Sequence, residues 1–308
     1  MMHLRRLWML VLVGVLCGVG ALTSTAWAFE RTQTCYPKSD GRTPTCSKKQ
    51  KPIPIQWKDG CTTWRTHNEF PDEYLEAVQK SFETWNEVSG SYFQTFYAGS
   101  SDQFGAAYDC KGGDENQNVV SYLEDWPSSV AGQDVVALTS VVYTTDKGEI
   151  LDADIRMNGE HFIWKEITSV SHDSRIVDVQ NILTHEVGHF LGLEHASAEN
   201  HVGHDLPEDA TMWSHTNMNE IKRRVLTEDD KAGVRAIYPA EDGPEEACTP
   251  PPGPNDHVSA DSFDPTRMRC TQKKRGCAAH DPAAPWTWLG AICILASLLV
   301  MRRRARPQ

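Results

Sequence analysis

The chain is 308 residues long, with a formal net charge of −12, 40% hydrophobic residues and ten Trp. That length exceeds one typical domain without demanding two large ones, and the apolar content suffices for a sizeable core. The acidic balance argues against nucleic acid as a partner. Residues 1–28 read as a secretory signal peptide. Arg5 and Arg6 make a basic start, residues 7–22 are apolar but for glycines, and Ala26–Trp27–Ala28 fits a small-x-small cleavage site. The alternative is a retained anchor helix. Export, to the cell surface or beyond, implies an oxidising compartment. Cys17 and Cys293 lie in apolar terminal runs, which leaves seven of the nine Cys, an odd number. Pairing neighbours gives Cys35–Cys46, Cys61–Cys110 and Cys248–Cys270, with Cys277 left over.

Residues 29–51 form a polar, Cys-clipped arm with Pro37, Pro44, Lys48, Lys49 and Lys51. The main folded domain is expected over 52–240, opening with a first strand at 52–57 (PIPIQW). The spacing of Leu75, Val78, Phe82 and Trp85 predicts an amphipathic helix over 72–88, with Asp72 as N-cap after Pro71. Residues 89–118 are rich in Gly, Ser, Asp and Asn and read as loop. Strands are expected at 118–123 and 135–143, and again at 148–158, where polar and apolar residues alternate after a turn. In the last of these, Asp152 and Asp154 offer hard oxygens that a calcium ion could take. The plainer reading, two solvent-facing carboxylates, is preferred.

A helix over 178–191 follows, its apolar side built from Val179, Ile182, Leu183, Val187, Phe190 and Leu191. His172 before it reads as an ordinary loop residue. The helix and its exit carry the pattern His185-Glu186-x-x-His189-x-x-Gly192-x-x-His195. Two His four apart on a helix project from one face and can grip one metal ion. Gly192 can take positive φ, end the helix and reverse the chain, so that His195 returns as a third ligand. Three imidazoles with a fourth position left over describe a catalytic zinc site rather than a closed structural one. Glu186, beside the first ligand, is placed to take a proton from the attacking water and hand it on. The segment 196–209, with His201, His204, Asp205, Glu208 and Asp209, reads as a rim loop; a second metal there is a weaker reading. Thr227 with Asp230 three residues on starts a last helix, which ends before Tyr238–Pro239.

Residues 241–268 are rich in Pro, Glu and Asp and suit a stiff spacer. In 269–308, Cys277 precedes an apolar helix expected at 284–301, closed by Arg302, Arg303, Arg304 and Arg306. The helix would span a membrane with its basic end in the cytoplasm.

The pattern at 185–195 is similar to the metzincin signature of zinc proteases. Ala210–Thr211–Met212–Trp213 resembles that clan's Met-turn, and residues 225–239 resemble the closing helix of its matrixin branch. The resemblance, over about 52–240, implies an α+β metzincin-like fold: a twisted mixed sheet with one antiparallel edge strand, backed by helices, with an active-site helix and a small C-terminal lobe. It makes the strand at 148–158 the sheet edge over the cleft, where an extended peptide could add. It implies one catalytic Zn2+ on His185, His189 and His195, Glu186 as general base, and Met212 as a structural thioether beneath the metal. The activity implied is endoproteolysis of protein or peptide substrates by zinc-activated water, in a monomer. The Arg-Cys-Gly type of latency motif of matrixins is absent around Cys35, so latency would need another cause. Two alternatives stand beside this reading: a pappalysin-like or other metzincin protease, suggested by the long segment between His195 and Met212, and a non-catalytic surface binding protein on a protease fold. The C-terminal segment resembles a bacterial sorting tag of the myxobacterial type, in which Cys277 would be the processing site and the membrane helix only transient.

Overall fold

The computed structural model describes residues 27–40, 42, 44–103, 116–129, 131–168, 175–196, 207–243, 248 and 270–279. Most of the signal-like segment, Cys110, His172, His201, His204, Asp205, most of the spacer and the apolar run at 284–301 lie outside them. Among the described residues no helix is long and apolar enough to cross a membrane.

In chain order, β1 is Glu30–Arg31, β2 Cys61–His67, α1 Asp72–Asn86, β3 Gln94–Ser101, β4 Val119–Leu123, β5 Val135–Thr144 and β6 Ile150–Asn158. Then come β7 Ile163–Lys165, β8 Ile176–Asp178, α2 Val179–Phe190, β9 Leu193–Glu194, β10 His215–Thr216, α3 Glu228–Ile237 and β11 Cys270–Ala279. Five strands form the domain's sheet in the order β3-β2-β4-β6-β5. All neighbours are parallel except β5, which runs antiparallel to β6. β11 and β10 extend the sheet beyond β5. Helices α1 and α2 pack against each other and the sheet. This is the mixed α+β arrangement expected.

The stripe on α1 carries the core. Val78, Phe82 and Trp85 are buried, with Leu75 at its half-buried margin. Trp64 of β2 stacks on Phe82 at 4.1 Å between centroids, and Phe82 meets Phe190 of α2 edge-on at 5.4 Å. Trp85 Nε1 donates to Thr184 O at 2.8 Å, so the apolar anchor of α1 also fixes the roll of α2.

Several expectations need correction. Residues 52–57 make no regular strand, only single bridges from Pro54 to Gln33 and from Gln56 to Glu149. Pro52 and Pro54 have no N–H to give to a ladder. The loop expected at 89–118 contains β3, an edge strand whose Gly99 takes φ 87° beside an irregular register with β2. Asp72 is the first helical residue of α1 rather than its cap; Pro71 holds the cap position. The strand at 148–158 is interior, between β4 and β5, and the antiparallel edge of the five-stranded sheet is β5. Local pattern marks both as strands, but pairing order is a long-range property.

Cys35–Cys46 forms as neighbour pairing suggests. Cys61 pairs instead with Cys248, so the expected Cys61–Cys110 and Cys248–Cys270 bridges are both overturned. The bridge spans 187 residues and ties the start of the sheet to the segment after α3. In the chain-entropy picture a loop of that size contributes about 5 kcal/mol. The N-terminal arm is not loose. β1 pairs antiparallel with β9, and Tyr36 Oη donates to Glu194 Oε2 at 2.7 Å, one residue before the third His of the pattern. The buried N–H of Ala28 donates to Asp229 Oδ1 at 2.6 Å.

Candidate metal centre and cleft

Helix α2 begins on a complete cap. Asp178 Oδ1 accepts the N–H of Asn181 at 2.8 Å, and its other oxygen accepts the N–H of Ile167 at 2.8 Å. Arg224 closes on the same carboxylate. The helix therefore starts at a fixed place, which sets the angle from which His185 and His189 project. It ends where Gly192 takes φ 109°. A Cβ there would stand 2.7 Å from Ile55 O, so both the backbone angle and the space demand glycine. The chain turns into β9, and His195 comes back over the helix.

The three imidazoles converge. One ring nitrogen from each of His185, His189 and His195 lies within 4.8 Å of the others, and Nε2 of His189 and His195 are 3.1 Å apart. The far nitrogens of two rings are held by backbone. His185 Nδ1 donates to Thr211 O at 2.6 Å, and His189 Nδ1 to Leu193 O at 2.9 Å. An Nδ1–H so engaged leaves Nε2 as a lone pair aimed at the centre. His185 Nε2 is buried with no hydrogen-bond partner. A buried polar atom left without a partner costs about 1–3 kcal/mol unless something else binds it. Burial first, then the neighbouring His189, Arg223 and His195, hold the His185 pKa well below its ordinary value. That keeps the ring neutral, the state a metal requires. The three His could therefore hold a metal ion. Asp209 pairs with Lys222 at 3.5 Å and does not join them.

Beneath the rings, Met212 is buried in a turn closed by Trp213 N–H to Ala210 O at 3.1 Å. Ala196 N–H donates to Met212 O at 2.8 Å, which ties this turn to the residue after the third His. Gly188 makes room for it: a Cβ there would overlap Met212 Sδ and crowd Trp85. Asp230 of α3 reaches up into the same turn. Its Oδ2 accepts Thr211 N–H at 2.9 Å and its Oδ1 accepts Met212 N–H at 3.0 Å.

Glu186 is fully buried on the side of β5. Thr139, near the middle of that strand, donates its hydroxyl to Glu186 Oε2 at 2.6 Å. Asp152 and Asp154, expected to face solvent, are both buried. Asp154 accepts the N–H of Val119 at 2.9 Å. Burial, then the charge and hydrogen bond of Asp154, raises the Asp152 carboxyl well above its usual range.

Sequence reasoning names His185, Glu186, His189, His195 and Met212; the fold converges the three His, ties the Met212 turn to the residue after the third, and buries Glu186 against Thr139. It misses Thr139, Gly188 and the second role of Asp230. The Thr139–Ser140 pair interrupting the apolar run of β5 and a Gly inside a helix, which costs about 1 kcal/mol relative to Ala, were the available signals. No curated protein matches the chain. The matrixin family's sequence model matches residues 56–239, the span from just before β2 to the end of α3 that contains every element of this centre. With more than half its length so matched, and with the three His, the Met-bearing turn and the closing helix in one site, the chain belongs to the matrixin family.

Proposed function

We propose that the protein is an exported zinc endopeptidase that cleaves peptide bonds within protein substrates, with Glu186 as general base. The observation that carries this is the convergence of three imidazole nitrogens on one point, with Glu186 buried next in the chain to the first of them. When bound to His185, His189 and His195, zinc would polarise the scissile carbonyl and make water a nucleophile near neutral pH. Glu186 would take the proton from that water and return it to the leaving amine. Thr139 holds the carboxylate in place through its hydroxyl. The peptide would lie extended against β5, whose outward N–H and C=O groups can pair with it.

The family match favours a matrixin over a pappalysin-like branch. A non-catalytic binding protein has no use for Glu186. Casein zymography of culture medium and of washed cells tests activity and location together. Clearing is expected from the exported fraction, abolished by o-phenanthroline and restored by added Zn2+. Clearing that persists in the chelator would reject a metal-dependent reaction. The signal-like residues 1–28 and the apolar, Arg-closed 284–308 support export with surface anchoring or release. Calcium at Asp152 and Asp154 would meet a buried Asp152 carboxyl whose pKa burial and Asp154 hold well above the usual range; no third acidic group joins them among the described residues.

Thr139→Val keeps shape and removes the hydroxyl. We expect kcat to fall about 10-fold with KM unchanged, the scale of one hydrogen bond to a charged group. A change confined to KM, measured by steady-state peptide hydrolysis, would refute a role through Glu186.

A further inference from the structure

The outer edge of β5 is already paired. β11 lies along it antiparallel, from Cys270 opposite Thr144 to Ala278 opposite Val135, with one irregularity between Cys277 and Ala278. Arg275 is registered with Thr139, the residue that holds Glu186. At its far end the same segment runs parallel to β10, His215 with Ala278 and Thr216 with Ala279. β10 follows directly on the Met212 turn, and β11 also lies against α2. The segment thus occupies the slot between the cleft edge and the turn beneath the three His, where the reading above puts an extended peptide substrate.

We propose that residues 270–279 are an internal competitor for substrate, which keeps the enzyme latent until the segment is displaced or cut from the domain. The proposal rests on the protease reading. It supplies a cause for latency in a chain without the matrixin cysteine motif. Cys248, disulfide-linked to Cys61, anchors the near end of the tether. At up to ~3.3 Å per residue the chain from there to Cys270 easily reaches the cleft. A segment carried on the same chain presents itself to the cleft at roughly millimolar effective concentration. A strand with an intrinsic Kd of about 0.1 mM would then be docked about 90% of the time, and kcat/KM toward outside peptides would drop about 10-fold. The bland alternative is a strand that merely covers a sheet edge. A mere cover would not compete with peptides for the cleft.

The test uses the full, zinc-loaded chain with Lys273→Pro and Arg275→Pro, which remove N–H groups from the ladder. Both positions lie outside the span matched to the family, so the domain itself is left intact. With a short fluorogenic peptide, kcat/KM is expected to rise about 10-fold at unchanged kcat. In a Glu186→Ala background, which prevents cleavage, a fluorescein-labelled peptide of residues 270–279 should bind the double-Pro protein about 10-fold more tightly than its parent, read by anisotropy. That second measurement needs no hydrolysis, so it separates this proposal from the protease reading. Equal affinities for the labelled peptide would overturn the proposal. Inactivity of every form, with the affinity difference intact, would count against the protease reading alone. A third protein, cut at a protease site inserted within 249–269 after folding, should gain the same activity on dilution.

Discussion

Glu186→Ala is expected to bind zinc at the parent's stoichiometry and to lose at least about 10²-fold in kcat, the lower scale of lost acid–base catalysis. The two halves of this expectation come from different atoms. Zinc would be gripped by ring nitrogens of His185, His189 and His195, and two of those rings are oriented by the carbonyls of Thr211 and Leu193. None of these contacts involves the Glu186 carboxylate. That carboxylate is instead turned toward Thr139 on β5, on the side where a substrate strand would pair. Removing it should leave KM within a few-fold and lower kcat and kcat/KM together, the pattern of an interaction made in the transition state. Elemental analysis with steady-state kinetics on one sample checks both halves. A variant that turns over like the parent would overturn the assigned role, and one that loses zinc would make the kinetics uninformative about proton transfer and assign Glu186 to the metal site instead.

What was legible in the sequence is what depends on near neighbours. The four-residue spacing of His185 and His189, the positive-φ glycine at 192 and the Thr227–Asp230 cap are all written within one or two helical turns. The folded chain reproduces each. Local pattern likewise located β4, β5 and β6 to within two residues at either end. What stayed illegible is what two distant segments decide together. Which strand is the edge depends on pairing order, and β5 and β6 read equally well from local pattern. Cys61 finds Cys248 only because the sheet's first strand begins where the chain leaves α3. Thr139 is one of several polar residues in a ten-residue strand, beside Ser140, and its partner is 47 positions away. The buried Asp152–Asp154 pair misled for a similar reason. An alternating strand looks solvated on its polar face until the neighbours β4 and β5 and the layers above them are known.

Asp230→Ala is expected to cost about 3–5 kcal/mol of stability in the metal-free protein and to weaken zinc binding about 10- to 100-fold. Asp230 is fully buried and serves two structures at once. Within α3 it completes the capping box, accepting Thr227 N–H at 2.9 Å and the Thr227 hydroxyl at 2.6 Å. Across to the Met-bearing turn it accepts the N–H groups of Thr211 and Met212. Alanine would strand those two donors in a dry interior at about 1–3 kcal/mol each and remove a cap worth about 1 kcal/mol. Against a total stability of about 5–15 kcal/mol that is a large share. The effect on zinc follows from the Thr211–Met212 peptide, whose N–H (Met212) is held by Asp230 and whose carbonyl (Thr211) holds His185 Nδ1 at 2.6 Å. Freed of the aspartate, that peptide can tilt, and His185 loses the partner that points its Nε2 at the centre. Asp230→Asn retains one acceptor oxygen and should recover part of both losses. Urea unfolding of the apo protein measures the first effect, and competition against a chromophoric chelator measures the second. If stability falls as expected while zinc affinity stays within about twofold, the path from Asp230 through Thr211 to His185 carries no orientation and the turn is held from elsewhere.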